Sequence, residues 1–422
     1  METSMLKAYK YRIYPTKSQI VLIEKHFGST RFLYNYFLDH RQKEYAKGNK
    51  ATYMTTQAKL TELKKQKEFE WLNECGSQSL QMALRELDNS YQRFFKQLGG
   101  YPKFKSKKNN HQSFTAPQNI KIANNRTYLP KFTKDGIKTK FHREIPKDAI
   151  LKQATISRSN NQYFISILVD DGVSIPKPIK AKNAVGLDVG TETLITTSDY
   201  VKYPNLRHTK KYAKKLKKLQ KDLSRKQHSR KKGDTTPKSN NYLKQLKKVQ
   251  KLHTKIYNSR KDYLHKISNE IINQYDIICL ESLNIKGMVK NKRLSKSISD
   301  VAWSEFMRQL EYKSLWRGKT IIKIDKWFPS SQICSNCGAS TGKKPLHIRK
   351  FVCPECNIKH DRDINASINI RNYGLGQTDN RNSAGTVDYA CGVSSSGVTT
   401  SYGIVTGYDT MKQEAQSSLA VG

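Results

Sequence analysis

Ala184-Val-Gly-Leu-Asp-Val-Gly190 is an apolar run of strand length that holds a single carboxylate, Asp188. Leu194-Ile-Thr-Thr-Ser198 follows after a short turn, and the pair reads as two antiparallel strands of an α/β sheet. Two long helical patterns come next. The first, from His208 to Lys232, holds twelve Lys/Arg and one Asp, yet Tyr212, Leu216, Leu219 and Leu223 keep an apolar stripe along one face. The second runs from about Tyr242 to Gln274, with Leu246, Val249, Ile256, Tyr263, Ile267 and Ile271 facing inward. It leads directly into a buried strand, Asp276-Ile-Ile-Cys-Leu-Glu281, which ends in a second carboxylate. Thr320-Ile-Ile-Lys-Ile-Asp325 is a further strand.

On the N-terminal side, Ala8-Tyr-Lys-Tyr-Arg-Ile-Tyr14 alternates apolar and basic residues and stops at Pro15, the pattern of a half-buried strand. From Ser18 to about Leu98 the period changes to that of a helix. It is clearest at Leu80, Leu84, Leu87, Tyr91, Phe94 and Leu98, with Ser77 or Ser79 available as N-cap. Between Gly99 and Ala181 short β-rich stretches return, among them Tyr163-Phe-Ile-Ser-Ile-Leu-Val169 beside an Asn160-Asn161 turn. The first strand is expected to join this β module, which makes the helical segment an insertion into it.

The charge bounds the partner. With 77 Lys+Arg against 35 Asp+Glu in 422 residues, the chain carries +42, a surface that repels itself unless a polyanion shares it. Beyond Tyr373 the sequence becomes rich in Gly, Ser and Thr, with two basic residues (Arg381, Lys412) against four acidic ones (Asp379, Asp388, Asp409, Glu414). The positive field therefore belongs to the part before this tail, and the tail is expected to be disordered. No run of about 18 apolar residues occurs, and Met1 to Lys10 lacks the apolar core of a secretory signal, so the expected location is cytoplasmic.

Four of the seven cysteines form two pairs, Cys334-Ser-Asn-Cys337 and Cys353-Pro-Glu-Cys356, separated by fifteen residues. Two turns that each offer two thiolates suit one tetrahedral Zn²⁺, and four thiolates leave no open position for water, so the role is structural. Cys75, Cys279 and Cys391 read as small hydrophobes or free thiols.

Asp188 and Glu281 are joined by Asp363, which opens the helix-like Asp363-Ile-Asn-Ala-Ser-Ile-Asn-Ile370 just after the second cysteine pair. A single such acid is ordinarily explained by an ion pair with one of the many lysines. Three acids converging on one sheet edge repel one another, and the usual compensation is divalent metal, commonly two Mg²⁺ about 3.5 to 4 Å apart.

Gly186-Leu-Asp-Val-Gly190, Leu280-Glu-Ser-Leu-Asn284 and Asp361-Arg-Asp-Ile-Asn-Ala-Ser367 resemble the three split motifs of a RuvC nuclease, an RNase H-like fold. Their order, with the cysteine pairs just before the third, is similar to the TnpB proteins of bacterial insertion sequences and to the compact type V CRISPR effectors. The likeness runs from the Tyr-Arg-Ile-Tyr-Pro start through Tyr101-Pro-Lys-Phe-Lys105 and Ser331-Gln-Ile-Cys-Ser-Asn-Cys-Gly338 to about Tyr373. Asn357 and Ser367 depart from the family's commoner Gly and Ala by conservative steps.

The resemblance implies a multidomain α+β architecture: an RNase H-like (RuvC) α/β nuclease domain with a zinc ribbon, plus a β-barrel wedge module with an inserted helical recognition domain. The expected boundaries are 1-17 and 99-182 for the wedge, 18-98 for the helical domain, 183-330 and 357-375 for the nuclease, 331-356 for the ribbon and 376-422 for the tail. It further implies a transposon-encoded, RNA-guided DNA endonuclease, with Asp188, Glu281 and Asp363 as Mg²⁺ ligands and Cys334, Cys337, Cys353 and Cys356 on Zn²⁺. Asp361 competes for the third acid's role and is read as an N-cap or as a group supporting the metal ligand from behind. The implied partners are a guide RNA from the transposon end and a target DNA duplex flanked by a short motif, bound by one copy of the chain near the nucleoid. Candidate phosphate contacts are Lys103, Lys105, Lys107, Lys108, Lys214 and Lys218, any of which could simply solvate the surface; Ser77, Gln78 and Gln81 could read base edges or merely begin a helix. A strand-transferring transposase and a nuclease-inactive RNA-guided repressor are the competing expectations.

Overall fold

The computed structural model describes residues 4–109, 111–132, 134–178, 181–227, 238–345 and 347–382. Within them the chain divides into two compact units, Met1–Ile175 and Pro176–Gly422. The basic helix expected to reach Lys232 already ends at Arg225; residues 228–237, Cys391 and the tail beyond residue 382 lie outside the described residues.

The first unit is built on one antiparallel sheet in the order β2-β6-β7-β1-β5-β4-β3. Strand β1 (Ser4–Tyr14) pairs with β7 (Gln162–Ser174) on one side and β5 (Ile137–Lys140) on the other, so the N-terminal strand is an inner strand of a sheet built otherwise from residues beyond 111. β6 (Ile150–Ser159) turns into β7 through Asn160 and Asn161, both left-handed at φ 50° and 60°, the pairing a two-residue type I′ hairpin requires. β2 (Gln112–Ala116) lies at one end of the sheet; β3 (Lys121–Ala123) and β4 (Arg126–Tyr128) lie at the other. Tyr11, Ile13, Phe114, Ile156, Ile165 and Ile167 form its core with Ile23 and Phe27 of the first helix.

Between β1 and β2 run α1 (Lys17–Ala46), α2 (Tyr53–Leu63) and α3 (Ser77–Phe95), packed through Leu33, Phe37, Leu60, Leu63, Leu80, Leu84 and Leu87. α1 and α2 start with capping boxes at Thr16 and Thr52. α3 does not start as expected: Gly76 occupies its N-cap without a side-chain bond, and Ser77 and Ser79 are already helical. His26 takes over part of that capping, because its Nε2 accepts the Gly76 N–H at 3.3 Å.

In the second unit, β8 (Ala184–Val189), β9 (Thr193–Thr197) and β10 (Lys202–Pro204) form an antiparallel meander. After α4 (His208–Arg225) and α5 (Asn240–Gln274) the chain returns as β11 (Ile277–Glu281), parallel to β8. α6 (Ile285–Val289), α7 (Ser295–Val301) and α8 (Trp303–Trp316) then lead to β12 (Thr320–Ile324), parallel to β11. The sheet order is β10-β9-β8-β11-β12. One core holds Leu187, Ile195, Ile267, Ile271, Ile278, Leu280, Phe306 and Leu310. A small hairpin of β13 (Lys350–Val352) and β14 (Lys359–Asp361) precedes α9 (Arg362–Asn382). α9 continues past residue 376, where the tail was expected to begin.

α9 lies on the sheet at unusually short range. An added Cβ at Gly186 would stand 1.9 Å from the Ser367 carbonyl oxygen, and one at Gly374 would stand 2.6 Å from the Cys279 Sγ. At Gly186 only glycine fits, because the strand and helix backbones meet this closely.

Candidate functional site

Asp188 and Glu281 sit at the C-terminal ends of the neighbouring parallel strands β8 and β11, where Leu187 pairs with Leu280. That edge is where α/β sheets present their ligand-binding groups. Asp363 reaches it from the first turn of α9. Three segments far apart in sequence thus deliver one carboxylate each to one place. Burial pushes the Asp188 carboxyl up to about 8, with repulsion from Glu281 and then Asp363 adding to it, while Arg362 and Arg349 oppose. Glu281 is also raised by burial, partly offset by the Ser330 hydroxyl, which donates to its Oε1 at 2.8 Å. Arg349 bridges Asp363 at 3.3 Å and Glu192 at 2.5 Å.

Asp361 does a different task. Its Oδ1 accepts the backbone N–H groups of Asp363 and Ile364 at 3.1 and 3.2 Å, and its Oδ2 takes the Lys202 ammonium at 2.7 Å. Burial alone would raise this carboxyl; the Lys202 contact and the two amides hold it below the ordinary carboxylate value. Asp361 therefore caps α9, leaving Asp363 to face the other acids.

Beside this edge, Cys334, Cys337, Cys353 and Cys356 gather their sulfur atoms within 4.8 Å of one another, the one group of three or more such ligands that comes this close among the described residues. Cys334 to Cys356 is 3.7 Å and Cys337 to Cys353 is 3.6 Å. These match the roughly 3.8 Å edge of a tetrahedron with metal–sulfur bonds of ~2.3 Å. The two knuckles repeat one design: Gly338 N–H donates to Cys334 O at 2.9 Å and Asn357 N–H to Cys353 O at 3.0 Å, with both donors left-handed at φ 78° and 57°. His360 Nε2 approaches Cys334 Sγ at 3.1 Å, a neighbour that the cysteine spacing does not reveal.

Asn365 and Asn369, one turn apart on α9, join the two features. Asn365 accepts the Ser335 N–H at 2.8 Å and donates to Ile333 O at 2.7 Å; Asn369 donates to Ser330 O at 2.8 Å and to Ile333 O at 2.7 Å. Both are buried, at 1% and 6% exposure. The knuckle and Ser330, and through it Glu281, are thus fastened to the helix that carries Asp363. Ser330, Asn365 and Asn369 were missed in the sequence; two asparagines spaced i, i+4 on the buried face of a helix were the available signal.

The polar candidates on the other elements are scattered. Lys103, Lys107 and Lys108 are exposed in the first unit, and Lys214 and Lys218 are exposed on α4 of the second. Lys105 is committed internally: its ammonium pairs with Glu86 at 2.7 Å and lies 4.1 Å from the Tyr34 ring centroid, while Asn35 clamps its backbone N–H and C=O. Ser77, Gln78 and Gln81 lie in the first turns of α3, exposed or half-buried.

Fold and site define a mixed α/β chain with acids at the ends of parallel strands and a four-cysteine knuckle beside them. Family models match at residues 303–370 ("Cas12f1-like, TNB domain"), 164–292 ("Probable transposase") and 1–50 ("Helix-turn-helix domain"). The described part of the last segment is one strand followed by one long helix. A Streptomyces pristinaespiralis protein named "Putative RNA-guided DNA endonuclease" is 34% identical over 89% of this chain and 91% of its own length. An Escherichia coli K12 protein of the same description, InsQ, is 32% identical over 86% and 91%. The chain in the solved structure titled "Cryo-EM structure of the Cas12f1-sgRNA-target DNA complex" aligns at a TM-score of 0.47 with 14% identity, covering 87% of this chain and 98% of that one. The chain belongs to the TnpB family. No helix among the described residues is long and apolar enough to cross a membrane.

Proposed function

We propose that this chain is an RNA-guided DNA endonuclease that hydrolyses phosphodiesters at Asp188, Glu281 and Asp363. The observation that carries the reading is the convergence of three carboxylates from β8, β11 and α9, with the half-buried Asp188 raised to about 8 by desolvation and by its two neighbours. Hard oxygen donors that destabilise one another suit Mg²⁺, and a pair of ions about 3.5 to 4 Å apart allows the three acids to stand apart without touching. Bound there, Mg²⁺ would supply a polarised water and neutralise charge on the phosphate oxygens. The chain's own residues do the positioning. Asp188 is fixed on a rigid inner strand, Ser330 orients Glu281, and Arg349 orients Asp363. The four thiols fit Zn²⁺ by spacing and number, and its place would be structural, holding the knuckle to which α9 is fastened.

In this reading the sheet of the second unit is an RNase H-like (RuvC) domain, residues 331-356 form its zinc ribbon, and the first unit is a wedge module with a helical recognition insertion. A site of this kind reads no sequence. Target choice falls to a guide RNA, and the +42 charge accommodates RNA and DNA together. One copy of the chain per guide is proposed, with nucleic-acid contacts from Lys103, Lys107, Lys108, Lys214 and Lys218 and base contacts from Ser77, Gln78 and Gln81. All three acids being present speaks against a nuclease-inactive repressor. The test is incubation of the purified ribonucleoprotein with target plasmid and Mg²⁺. Linear product that Asp188→Ala abolishes is expected; unchanged cutting by that variant overturns the proposal, and joined products favour a transposase.

A further inference from the structure

The loop from Asp325 to Pro329 is tied to Glu281 at both ends. Ile324, the last residue of β12, is the ladder partner of Glu281, and Ser330 returns to hydrogen-bond the Glu281 carboxylate at 2.8 Å. Trp327 stands midway. Three residues of chain span at most about 11 Å, so its Cα lies within that distance of both tethers. The residue is 79% exposed.

A single exposed apolar side chain is ordinary. What sets this one apart is that the loop beneath it is held rigid. Asp325 Oδ1 accepts the Trp327 N–H at 2.6 Å, and Phe328 turns inward to stack on Tyr373 of α9, with centroids 4.0 Å apart and planes at 22°. Lys326 places its ammonium 4.6 Å from the indole centroid. An anchored loop thus holds up an indole with a cation over one face and the other face open, at the edge where the three carboxylates converge. That combination matches the chemistry of single-stranded nucleic acid, in which a base stacks on the ring and the adjoining phosphate meets the charge.

We infer that Trp327 is a base-stacking residue of the cleavage site: it takes one unpaired nucleobase of the DNA strand beside the bond to be cut, and Lys326 takes a neighbouring phosphate. This rests on the proposed nuclease reading. Bases inside a duplex have both faces covered, so the platform also makes the site prefer a displaced or frayed strand over paired DNA.

The test uses the guide-loaded full chain in single-turnover cutting of targets that carry one abasic nucleotide, scanned along each strand around the cut. At one position the abasic target should be cut about 5- to 150-fold more slowly by the wild type, the range that one stacked base is worth. Trp327→Ala should slow cutting of the intact target by a similar factor and lose nothing more on the abasic target, while Trp327→Phe restores most of the rate. If Trp327→Ala cuts as fast as the wild type while Asp188→Ala is dead, the nuclease reading stands and the stacking role falls. It falls also if the two losses multiply at every scanned position. If Asp188→Ala still cuts, the nuclease reading fails, and the inference with it.

Discussion

Gly186→Ala is a one-methyl change whose consequence follows from the packing around it. The new Cβ would lie 1.9 Å from the Ser367 carbonyl oxygen, 2.7 Å from the Arg371 amide nitrogen and 2.9 Å from the Arg371 Cβ. The two shortest contacts are to helix backbone, so no rotamer change relieves them. Ordinary contact needs roughly 3.5 Å, and α9 must therefore lift from β8 by more than about 1 Å. Asp188 is two residues along β8 from the insertion, and Asp363 is one turn up α9 from Ser367. The lift consequently opens the distance between two of the three carboxylates. Overpacking of this kind costs about 1 to 3 kcal/mol of stability, and a misplacement near 1 Å costs on the order of 100-fold in rate. The expected result is single-turnover cutting slowed by about 100-fold or more, with a lowered Tm and the thiol site still metallated, because the cysteines do not contact Gly186. Cutting within about threefold of wild type with an unchanged Tm would refute the claim that this backbone contact sets the site.

Gly28 is the matching control: nothing lies within 4 Å of its added Cβ inside α1, so Gly28→Ala should raise Tm, by about 0.5 to 1 kcal/mol of stability, and leave cutting alone. Asp188→Asn should abolish cutting yet stabilise the protein in magnesium-free buffer. The folded-state value of about 8 lies above the ordinary 3.8, so the folded protein binds the proton more tightly, and the ionised carboxylate opposes folding increasingly as pH rises from about 4 to 8. The stability gap between variant and wild type is on the order of 4 kcal/mol at most at pH 7, and denaturation series should show it closing toward pH 4; a pH-independent gap would contradict the assignment. Asn365→Ala leaves the Ser335 N–H without its partner and removes one of the two donors to the Ile333 C=O, and a chromogenic chelator should strip zinc at least tenfold faster than from wild type, with unchanged stripping counting against the clamp.

What the sequence makes legible follows from the range of the forces involved. The Asn160-Asn161 hairpin depends on two backbone conformations that asparagine tolerates, and the strands around it pair in the register those residues allow. The two cysteine pairs are local knuckles, each closed by a bond within five residues, and their spacing is enough to bring four thiols together. The start of α3 depends on something else. Its capping serines are innocent because His26, fifty residues earlier, accepts the Gly76 amide. Lys105 looks like any surface lysine until Glu86 and Tyr34 are seen to hold it. Gly186 reads as one more strand glycine, and its necessity comes entirely from a helix that arrives much later in the chain. Ser330, Asn365 and Asn369 belong to the same class, since their partners are fixed by tertiary packing rather than by period or propensity.

The contacts of Gly186, Ser330, Asn365 and Asn369 share a location, and it explains why a cysteine knuckle stands between the last strand of the sheet and the last acid. An isolated first turn of a helix frays, leaving its N–H groups and its side-chain direction unfixed. Asp363 sits in such a turn. Asp361 satisfies two of its amides while Lys202 on the sheet holds Asp361, and Asn365 and Asn369 bind the start of the helix to Ile333, Ser335 and Ser330. The knuckle that supplies those groups keeps its shape only if its four thiols are held together. Losing the ion there should therefore remove Asp363 from register and release Ser330 from Glu281 in the same event. Zinc removal is then expected to eliminate cutting even though no thiol touches the phosphate, and restored zinc to return it without refolding of the sheet, whose own core of Leu187, Ile278, Leu280 and Phe306 is separate from the knuckle.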